Sequence, residues 1–398
     1  MGKMIILMVL GSYFIIGTIL INNGNMAKDT VENVVDYYSM ANAKHIACSG
    51  ANLALAKISN NLSWNTGYHN VDFSGGKMNV DIIPDISIGP NGVRIFSASD
   101  YQGYKDSVIV EIARTFYSRY LMYIHKNPGG YYVTGDTMNG PFWTDDKLWT
   151  KGKPVFKGRV FLGNGLKKET WKGDPAEPEF WGGYTYVKPE PAMLGSMSNL
   201  SSEASAMGFN TDKELWLTLN NNNTVSYRFK KTGTDSTVLL SALAPNSIIY
   251  SSKNIHLKGK IDGSLTVVSN MNIWLDDDVG VVDDPRTNPG SAEMLGIVAN
   301  KKIFVTNNSA NNDDINITAA MYTNQSFEAE DLFSRPKGGH INLYGSLTQN
   351  QDGYTGVISG KSLTHGYNLN YNYDWRFSTS APPLFPLTDR IQILKWWE

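Results

Sequence analysis

The chain has 398 residues with a formal net charge of −2, only 18 % of its residues are charged, and Cys48 is its one cysteine. No basic block or stripe stands out, so no nucleic-acid partner is expected, and a single cysteine excludes an intramolecular disulfide and a cysteine-based zinc site. The abundance of Gly, Asn, Ser, Thr and Tyr is typical of many short strands joined by turns.

The chain opens with an apolar segment that carries no charge between Lys3 and Lys28. A bilayer needs about 17 to 25 helical residues, whereas the apolar core of a cleaved signal peptide has about 7 to 15. The run is long, and Asn22 to Asn25 follow it instead of a small-residue cleavage site, so retention as an anchor is favoured over removal. Lys3 precedes the run and acidic residues follow it, which places everything beyond residue 25 outside the cytoplasm. The residues expected to face lipid are Met4, Ile5, Ile6, Leu7, Val9, Leu10, Phe14, Ile15, Ile16, Ile19, Leu20 and Ile21.

Helical spacing of apolar and small residues continues beyond the anchor, from Val31 to Ala41. Because no proline occurs before Pro84, the pattern predicts one helix from Met4 to about Asn60, which is about 85 Å long at 1.5 Å per residue. The small residues between Ala43 and Ala56 favour close packing of this helix on the protein's own body or on a second copy.

Two side chains in the small-residue segment could carry chemistry. Cys48 lies between Ala47 and Ser49 and is expected to pack as a small hydrophobe, with an intermolecular disulfide as the alternative. His45 has no second histidine or carboxylate at metal spacing, so it is expected on the polar face of the helix.

The remainder of the chain predicts a mainly β fold. Alternation of apolar and polar residues after Trp64 predicts strands in KMNVDIIPDISIG, GVRIFSAS and SVIVEIARTFYSRYLMYI, the last of which also fits a helix. Beyond NPGGYY, short strands separated by single glycines recur, and such strands bury a face only when they stack as successive coils. The prediction is an irregular β-helix or solenoid, with a multi-stranded β-sandwich as the alternative. The expected organisation is a helix over residues 1–62, a small β domain over 63–126 and a solenoid-like body over 127–398, with the C-terminal tail docked on it.

The front of the chain resembles PilX-type minor pilins in its short basic leader, its apolar run and the helix ending IACSGANLALAKIS. The rear is similar to DUF4900-type envelope proteins in GPFWTDDKLWTKGKPVFKGRVF, LGIVANKKIFVTNN and GHINLYGSLTQNQDGYTGV, followed by HGYNLNYNYDWRFSTSAPPLFP. The chain differs from ordinary prepilins, because Lys3 follows Gly2 where they carry Phe, and Leu7 stands where they carry Glu. The resemblance implies a bacterial inner-membrane protein with its body in the periplasm or at the cell surface, and with pilin-like or envelope proteins as partners.

The acidic stretch LDDDVGVVDDPRTNPGSAE is the best metal candidate. Carboxylates are hard oxygen ligands that suit Ca²⁺, but their spacing here does not follow an EF-hand loop, and acidic turns between strands have the same composition without any metal. The calcium candidates are Asp276, Asp278, Asp283 and Asp284.

A β-helix also suits enzymes that act on polysaccharides, such as polygalacturonases. The chain contains short matches to their motifs in the same order, but the matches are dozens of residues apart, and Ile341 and Gln392 replace the final Gly and Lys. No catalytic residue and no cofactor is therefore predicted, and a secreted carbohydrate-active enzyme is the alternative function. The matches are Asn210-Thr211-Asp212, Asp283-Asp284, Gly339-His340 and Arg390-Ile391.

Two aromatic sets are candidates for contacts. Trp171, Trp181, Tyr184 and Tyr186 suit a carbohydrate or protein surface, although core packing explains aromatic residues equally well. The C-terminal tail is expected to dock on the body rather than stay exposed, with a partner-binding tail as the alternative. Its apolar residues are Ile391, Ile393, Leu394, Trp396 and Trp397. The sequence as a whole predicts a single-pass, membrane-anchored envelope protein with a structural or adhesive role.

Overall fold

The computed structural model describes residues 2–89, 91–188, 198–360 and 362–398. Contacts divide the chain into two units. Met1–Thr115 and Asp389–Glu398 form the helix–sheet unit, and Phe116–Thr388 form the β body. The sequence-predicted ranges 1–62, 63–126 and 127–398 differ from this division, because the long helix shares a unit with the sheet that follows it. The prediction of a mainly β protein with a long N-terminal helix is confirmed.

A single helix, α1, spans Gly2–Asn60 and has 59 residues. It passes through Asn22 to Asn25 without a break. The absence of proline allows this length, since every backbone N–H from the second turn onward can donate within the helix.

The sheet of the helix–sheet unit has the strand order β1-β2-β3-β4-β30, and the first four strands form an antiparallel meander. These strands are β1 (Tyr68–Phe73), β2 (Gly76–Pro84), β3 (Val93–Tyr101), β4 (Tyr104–Phe116) and β30 (Leu387–Trp397). A 3-10 turn, Ile86–Ile88, lies between β2 and β3. The chain leaves this sheet after β4 and returns to it only at β30, so the β body is an insertion between two neighbouring strands.

The second half of α1 packs on this sheet through a narrow stripe of mostly small side chains. The stripe recurs every three or four residues, which is the spacing of one helical face. Alternate residues of β2, β3 and β4, among them Val80, Ile95 and Val110, complete the core. The buried stripe consists of Ser39, Ala43, Ile46, Ala47, Gly50, Ala51, Ala54 and Ile58.

The C-terminal tail, which the sequence analysis assigned to the β body, belongs to the helix–sheet unit from Asp389 onward. It forms β30 at the edge of the helix–sheet unit, next to β4. Ile391 and Trp396 pack against the core there, whereas Ile393, Leu394 and Trp397 stay exposed. Burial along β30 does not follow strand alternation, because Ile391 and Ile393 share one face of the strand and Leu394 and Trp396 share the other.

The β body consists of many short strands. The strands of its first half are β5 (Met122–Lys126), β6 (Tyr132–Val133), β7 (Thr137–Asn139), β8 (Phe142–Thr144), β9 (Leu148–Lys151), β10 (Val155–Phe156), β11 (Val160–Leu162), β12 (Leu166–Glu169), β13 (Glu179–Phe180) and β14 (Tyr184–Tyr186). Those of its second half are β15 (Phe209–Thr211), β16 (Leu215–Leu219), β17 (Thr224–Arg228), β18 (Ser236–Leu239), β19 (Ile248–Ser251), β20 (Ile255–Ile261), β21 (Leu265–Ser269), β22 (Ile273–Val281), β23 (Leu295–Ala299), β24 (Ile303–Val305), β25 (Ile315–Thr323), β26 (Phe327–Ala329), β27 (Lys337–Gln351), β28 (Gly356–Ser359) and β29 (Ser362–Tyr373). Helices α2 (Ser198–Met207) and α3 (Leu240–Leu243) and the 3-10 turns Tyr117–Arg119 and Trp375–Ser378 lie in the same unit.

Most strands of the β body pair in parallel with strands that lie farther along the chain. The ladder β19–β21–β23–β25–β27 keeps its register throughout. Every residue of β21 and β23 is buried, as expected where parallel strands are covered on both faces. Antiparallel pairs occur at β16–β17–β18 and at β28–β29, so the sheet is mixed.

The spatial order of the strands in the β body does not follow their order in the chain. β5 pairs in parallel with β27 on one side and with β8 on the other, and β7 pairs with β29. The strands of residues 122–186 therefore continue the stack of strands that residues 209–373 build. The chain enters this stack in its middle and leaves it beside the point of entry.

Candidate functional site

The first half of α1 is apolar and touches no other part of the described chain closely enough to be buried. Its most apolar window of 18 residues has no buried residue, and the helix is long and apolar enough to cross a membrane. All twelve residues predicted to face lipid lie on this half, and each is exposed, from Val9 at 48 % to Met4 at 78 %.

The second half of α1 is held to the sheet by hydrogen bonds as well as by packing. Ser97 Oγ donates to the Ala47 carbonyl oxygen at 2.7 Å, and Ser99 Oγ donates to the Ala43 carbonyl oxygen at 2.6 Å. Both hydroxyls come from alternate residues of β3 and are buried. Hydroxyls reach backbone carbonyls in this way only where a helix and a strand approach closely.

The end of the chain also contacts α1. Lys44 Nζ lies 2.7 Å from Glu398 Oε2, and Cys48 Sγ lies 3.8 Å from the other oxygen of that carboxylate. Cys48 is half-buried and packs beside the core, and burial raises the pKa of its thiol. His45 is exposed on the polar face of the helix.

The β body contains a cavity of about 570 Å³, which we call the acidic cavity. Its walls combine buried apolar side chains, such as Met122 and Leu347, with buried tyrosines, such as Tyr132 and Tyr371. Several of these residues lie on or beside β5, β6, β27 and β29, where the strands of residues 122–186 meet those of residues 209–373. The other polar residues at its wall include Lys151, Glu169, Trp171, Lys172 and Gln349.

Besides Glu169, the carboxylates of Asp136 and Asp352 line the acidic cavity. Asp136 Oδ2 accepts a hydrogen bond from the Val133 backbone N–H at 2.7 Å, and Asp352 Oδ1 accepts one from Gln349 Nε2 at 2.8 Å. Burial raises the pKa of Asp136 from 3.8 to about 7, against the effect of that N–H. Burial likewise raises the pKa of Asp352 from 3.8 to about 7, and the negative charge of Asp136 acts in the same direction. A buried carboxylate without a cation beside it prefers its neutral form.

Tyr371 is a further polar residue of this cavity. Its side chain is 1 % exposed and lines the cavity, and within the described part of the chain its hydroxyl has no hydrogen-bond partner. Burial, followed by the charges of Asp352 and Asp136, raises the pKa of this hydroxyl.

At one wall of the acidic cavity, the cations are already engaged. Lys151 Nζ lies 3.5 Å from Glu169 Oε2 and 3.8 Å above the ring of Tyr131. Glu169 also pairs with Lys167, whose hydrogen bond is the main reason that the pKa of Glu169 is lowered to about 2.

Two of the four calcium candidates lie on β22 and have protein partners. Asp276 accepts a hydrogen bond from Thr306 Oγ1 at 2.6 Å and lies 3.1 Å from His256 Nδ1. Asp278 accepts hydrogen bonds from the backbone N–H of Asn316 at 2.7 Å and from its side chain at 3.0 Å. The amide ladder that begins there continues through Asn342 and Asn370.

The other two candidates lie in the loop after β22. Asp283 accepts hydrogen bonds from Asn288 Nδ2, and Asp284 forms a bidentate pair with Arg286. The hydrogen-bonded guanidinium is the main reason that the pKa of Asp284 is lowered. No group of three or more His, Cys, Asp or Glu side chains that could hold a metal occurs among the described residues. Calcium binding at the four candidates stays a prediction.

The polygalacturonase-like matches are dispersed. Asn210 lies on β15 and His340 on β27, and four strands of the stack separate them, which is about 24 Å at 4.8 Å per strand. Arg390 belongs to the helix–sheet unit. The structure therefore does not bring these motifs together within the β body.

The predicted aromatic surface is divided between two places. Trp171 lines the acidic cavity and donates from Nε1 to the Gly360 carbonyl oxygen at 2.9 Å. Trp181, Tyr184 and Tyr186 lie on and beside β13 and β14, with 64 %, 44 % and 63 % of each side chain exposed.

Sequence reasoning missed Asp136 and Asp352. They occur in TGDTMNG and NQDGYTG, where aspartate beside glycine is typical of an ordinary turn. Tyr132 Oη lies 3.4 Å from Asp352 Oδ2 although 220 residues separate the two in the chain. Only the pairing of β5 with β27 and of β7 with β29 brings the two turns to one cavity.

Comparisons with known proteins give little beyond this geometry. No family model matches the chain, and no curated protein is similar to it in sequence. The resemblance to PilX-type and DUF4900-type proteins therefore has no family match in its support. Among solved structures, the chain is similar to the competence-associated pilin ComZ from Thermus thermophilus, with 10 % sequence identity, a TM-score of 0.40 and coverage of 91 % of this chain and 96 % of that chain. A similarity of this degree does not transfer functional properties from one protein to the other.

Proposed function

We propose that the protein is a membrane-anchored, pilin-like component of a bacterial cell envelope with a structural or adhesive role. The first half of α1 lies in the bilayer, and the β body is presented outside the cytoplasm. The observation that carries this proposal is that one continuous helix has two different halves. The first half is apolar and its most apolar window has no buried residue, whereas the second half packs on a sheet.

The exposed half of α1 is too costly to leave in water. Burying one large aliphatic side chain stabilises by about 1.5 to 3 kcal/mol, so twelve of them leave on the order of 20 kcal/mol unrealised. Residues 2 to 25 span about 36 Å as a helix, which exceeds the apolar core of a bilayer at about 30 Å. Lys3 before the span and acidic residues after it favour a cytoplasmic amino terminus.

Membrane extraction with a matched pair of variants tests the anchor. Ile15→Arg puts a charge at mid-span, whereas Val34→Arg puts the same charge at an equally exposed helix position beyond it. We expect the native chain and Val34→Arg to stay in the membrane at alkaline pH, and Ile15→Arg to be released or degraded. Intact mass and amino-terminal sequencing of the envelope-derived protein complete the test. A mature chain starting near Lys28, or equal behaviour of both variants, would contradict the proposal.

The pilin-like part of the proposal rests on a second surface of α1. Between the anchor and the sheet, the helix exposes apolar side chains that include Val31, Val35 and Tyr37. We infer that this face packs against the same helix of a neighbouring copy or of a pilin-like partner.

Disulfide trapping tests this packing. In a Cys48→Ala background, Tyr37→Cys on α1 is compared with Lys105→Cys on β4, since both positions are exposed. Oxidation in native membranes is expected to cross-link the helix variant and not the sheet variant. Equal cross-linking of the two variants, or no cross-linking of either, would contradict a pilin-like assembly and indicate that the helix serves only as an anchor.

A further inference from the structure

The acidic cavity has no part in anchoring, and it contains two carboxylates without a cation beside them. Among the described residues, the Asp136 carboxylate accepts a hydrogen bond only from the Val133 N–H, and the Asp352 carboxylate accepts from neutral groups. Of the two lysines at the cavity wall, Lys151 is engaged with Glu169. A desolvated carboxylate is costly unless an opposite charge or hydrogen-bond donors compensate it. A cationic ligand is therefore favoured here over a neutral or anionic one.

The walls favour an organic cation over a metal ion. Calcium takes six to eight oxygen ligands, and among the described residues no group of three His, Cys, Asp or Glu side chains is arranged for a metal. The rings of Tyr132 and Tyr371 line the cavity, and aromatic faces attract organic cations. Apolar side chains beside them provide contacts for an alkyl chain.

Three of the polar residues that line the cavity suit a primary ammonium group. Asp136 and Asp352 supply carboxylates, and the Tyr371 hydroxyl has no hydrogen-bond partner among the described residues. A primary ammonium group has three N–H donors, one for each of these groups.

We propose that the acidic cavity binds a primary alkylammonium compound. The ammonium group lies between Asp136, Asp352 and Tyr371, and the alkyl chain lies against Met122 and Leu347. A volume of about 570 Å³ is within the range of small-molecule sites. This site is independent of the proposed membrane function.

Calorimetric titration of the full chain in detergent tests the proposal with defined probes. n-Butylammonium chloride is the ligand, 1-butanol is the neutral control of the same length, and calcium chloride is the inorganic cation. We expect n-butylammonium to bind at pH 8 and 1-butanol to bind at least about tenfold more weakly, since charge-assisted hydrogen bonds are the stronger ones.

Three variants locate the binding. Asp352→Asn is expected to weaken n-butylammonium binding about 10- to 100-fold, and Tyr371→Phe about 3- to 10-fold. Asp313→Asn removes an exposed carboxylate outside the cavity and is expected to leave the affinity unchanged. Thermal unfolding of each variant shows that the body remains folded.

The pH dependence gives a readout that a purely apolar cavity lacks. Protons compete with the ammonium group for Asp136 and Asp352, so affinity is expected to fall about tenfold or more from pH 8 to pH 6, while an alkylammonium stays charged. The other titratable groups at the cavity wall are Lys151, Glu169, Lys172 and tyrosines. No binding of n-butylammonium, equal binding of 1-butanol, tighter binding of calcium, or an unchanged affinity in Asp352→Asn would each overturn the proposal.

Discussion

The approach of α1 to its sheet can be tested at Gly50. A Cβ atom at this position would lie 2.4 Å from Ser97 Oγ and 2.8 Å from Met78 Sδ. Neither neighbour moves freely, because Ser97 is hydrogen-bonded to the Ala47 carbonyl and Met78 is 1 % exposed. Gly50→Ala therefore forces the helix and the sheet apart by a few tenths of an ångström.

Two opposing effects set the magnitude for Gly50→Ala. Overpacking costs about 1 to 3 kcal/mol, and the better helix propensity of alanine returns up to about 1 kcal/mol. We expect a net loss of about 1 to 2 kcal/mol in the free energy of unfolding of the helix–sheet unit. Ser97→Ala alone removes a buried hydrogen bond and costs about 1 kcal/mol. In the double variant, the missing hydroxyl makes room for the new methyl group, so the combined loss is smaller than the sum of the single losses.

Amide hydrogen exchange of the second half of α1 is the assay, because it reports on this unit separately from the β body. A loss of about 1 to 2 kcal/mol speeds exchange by about 5- to 30-fold. Unchanged exchange in Gly50→Ala, together with additive effects of the two substitutions, would refute the close approach.

Three further predictions concern the β body. The protonated Asp352 carboxyl stabilises the fold below about pH 4, and this stabilisation is lost as the pH rises through about 7. In denaturant titrations, the free energy of unfolding of Asp352→Asn is therefore expected to equal that of the native chain at pH 4 and to exceed it by about 2 to 4 kcal/mol at pH 8. Equal pH profiles of the two proteins would contradict this prediction. Arg335 is 1 % exposed and donates to the Val305 and Asn311 carbonyls and to the Tyr367 hydroxyl, so Arg335→Met is expected to cost about 2 to 4 kcal/mol by calorimetry, and a loss below about 1 kcal/mol would show these bonds to be dispensable. If the four calcium candidates bind Ca²⁺, calcium chloride raises the melting temperature and Asp283→Asn abolishes the rise, whereas an unchanged melting temperature in the native chain sinks the prediction.

Local pattern was sufficient for the elements that depend on near neighbours. The helix follows from spacing of three and four residues and from the absence of proline before Pro84. The strands from Gly76 to Phe116 follow from alternation and from the turns between them. Where the segment after Ser107 fitted both a helix and a strand, pairing with β3 decided for the strand.

The candidate sites also differ in whether the local sequence is sufficient to recognise them. The exposed anchor residues could be listed from composition, because an apolar run with no charges needs no tertiary information. The acidic cavity could not be recognised from composition, because Asp136 and Asp352 occur in turns of the same composition as other turns of the chain. The calcium candidates show the converse, since a conspicuous acidic run is distributed among separate hydrogen-bond partners.

The sequence by itself thus determined a long helix, its apolar half and a mainly β remainder, since these depend on interactions within a few residues. Only the tertiary structure decided that the C-terminal tail completes the sheet beneath the helix, that the strands of residues 122–186 continue those of 209–373, and that Asp136 and Asp352 share a cavity. Each of these depends on strand pairing between segments that are far apart in the chain, and the periodicity of one strand carries no information about which distant strand it pairs with.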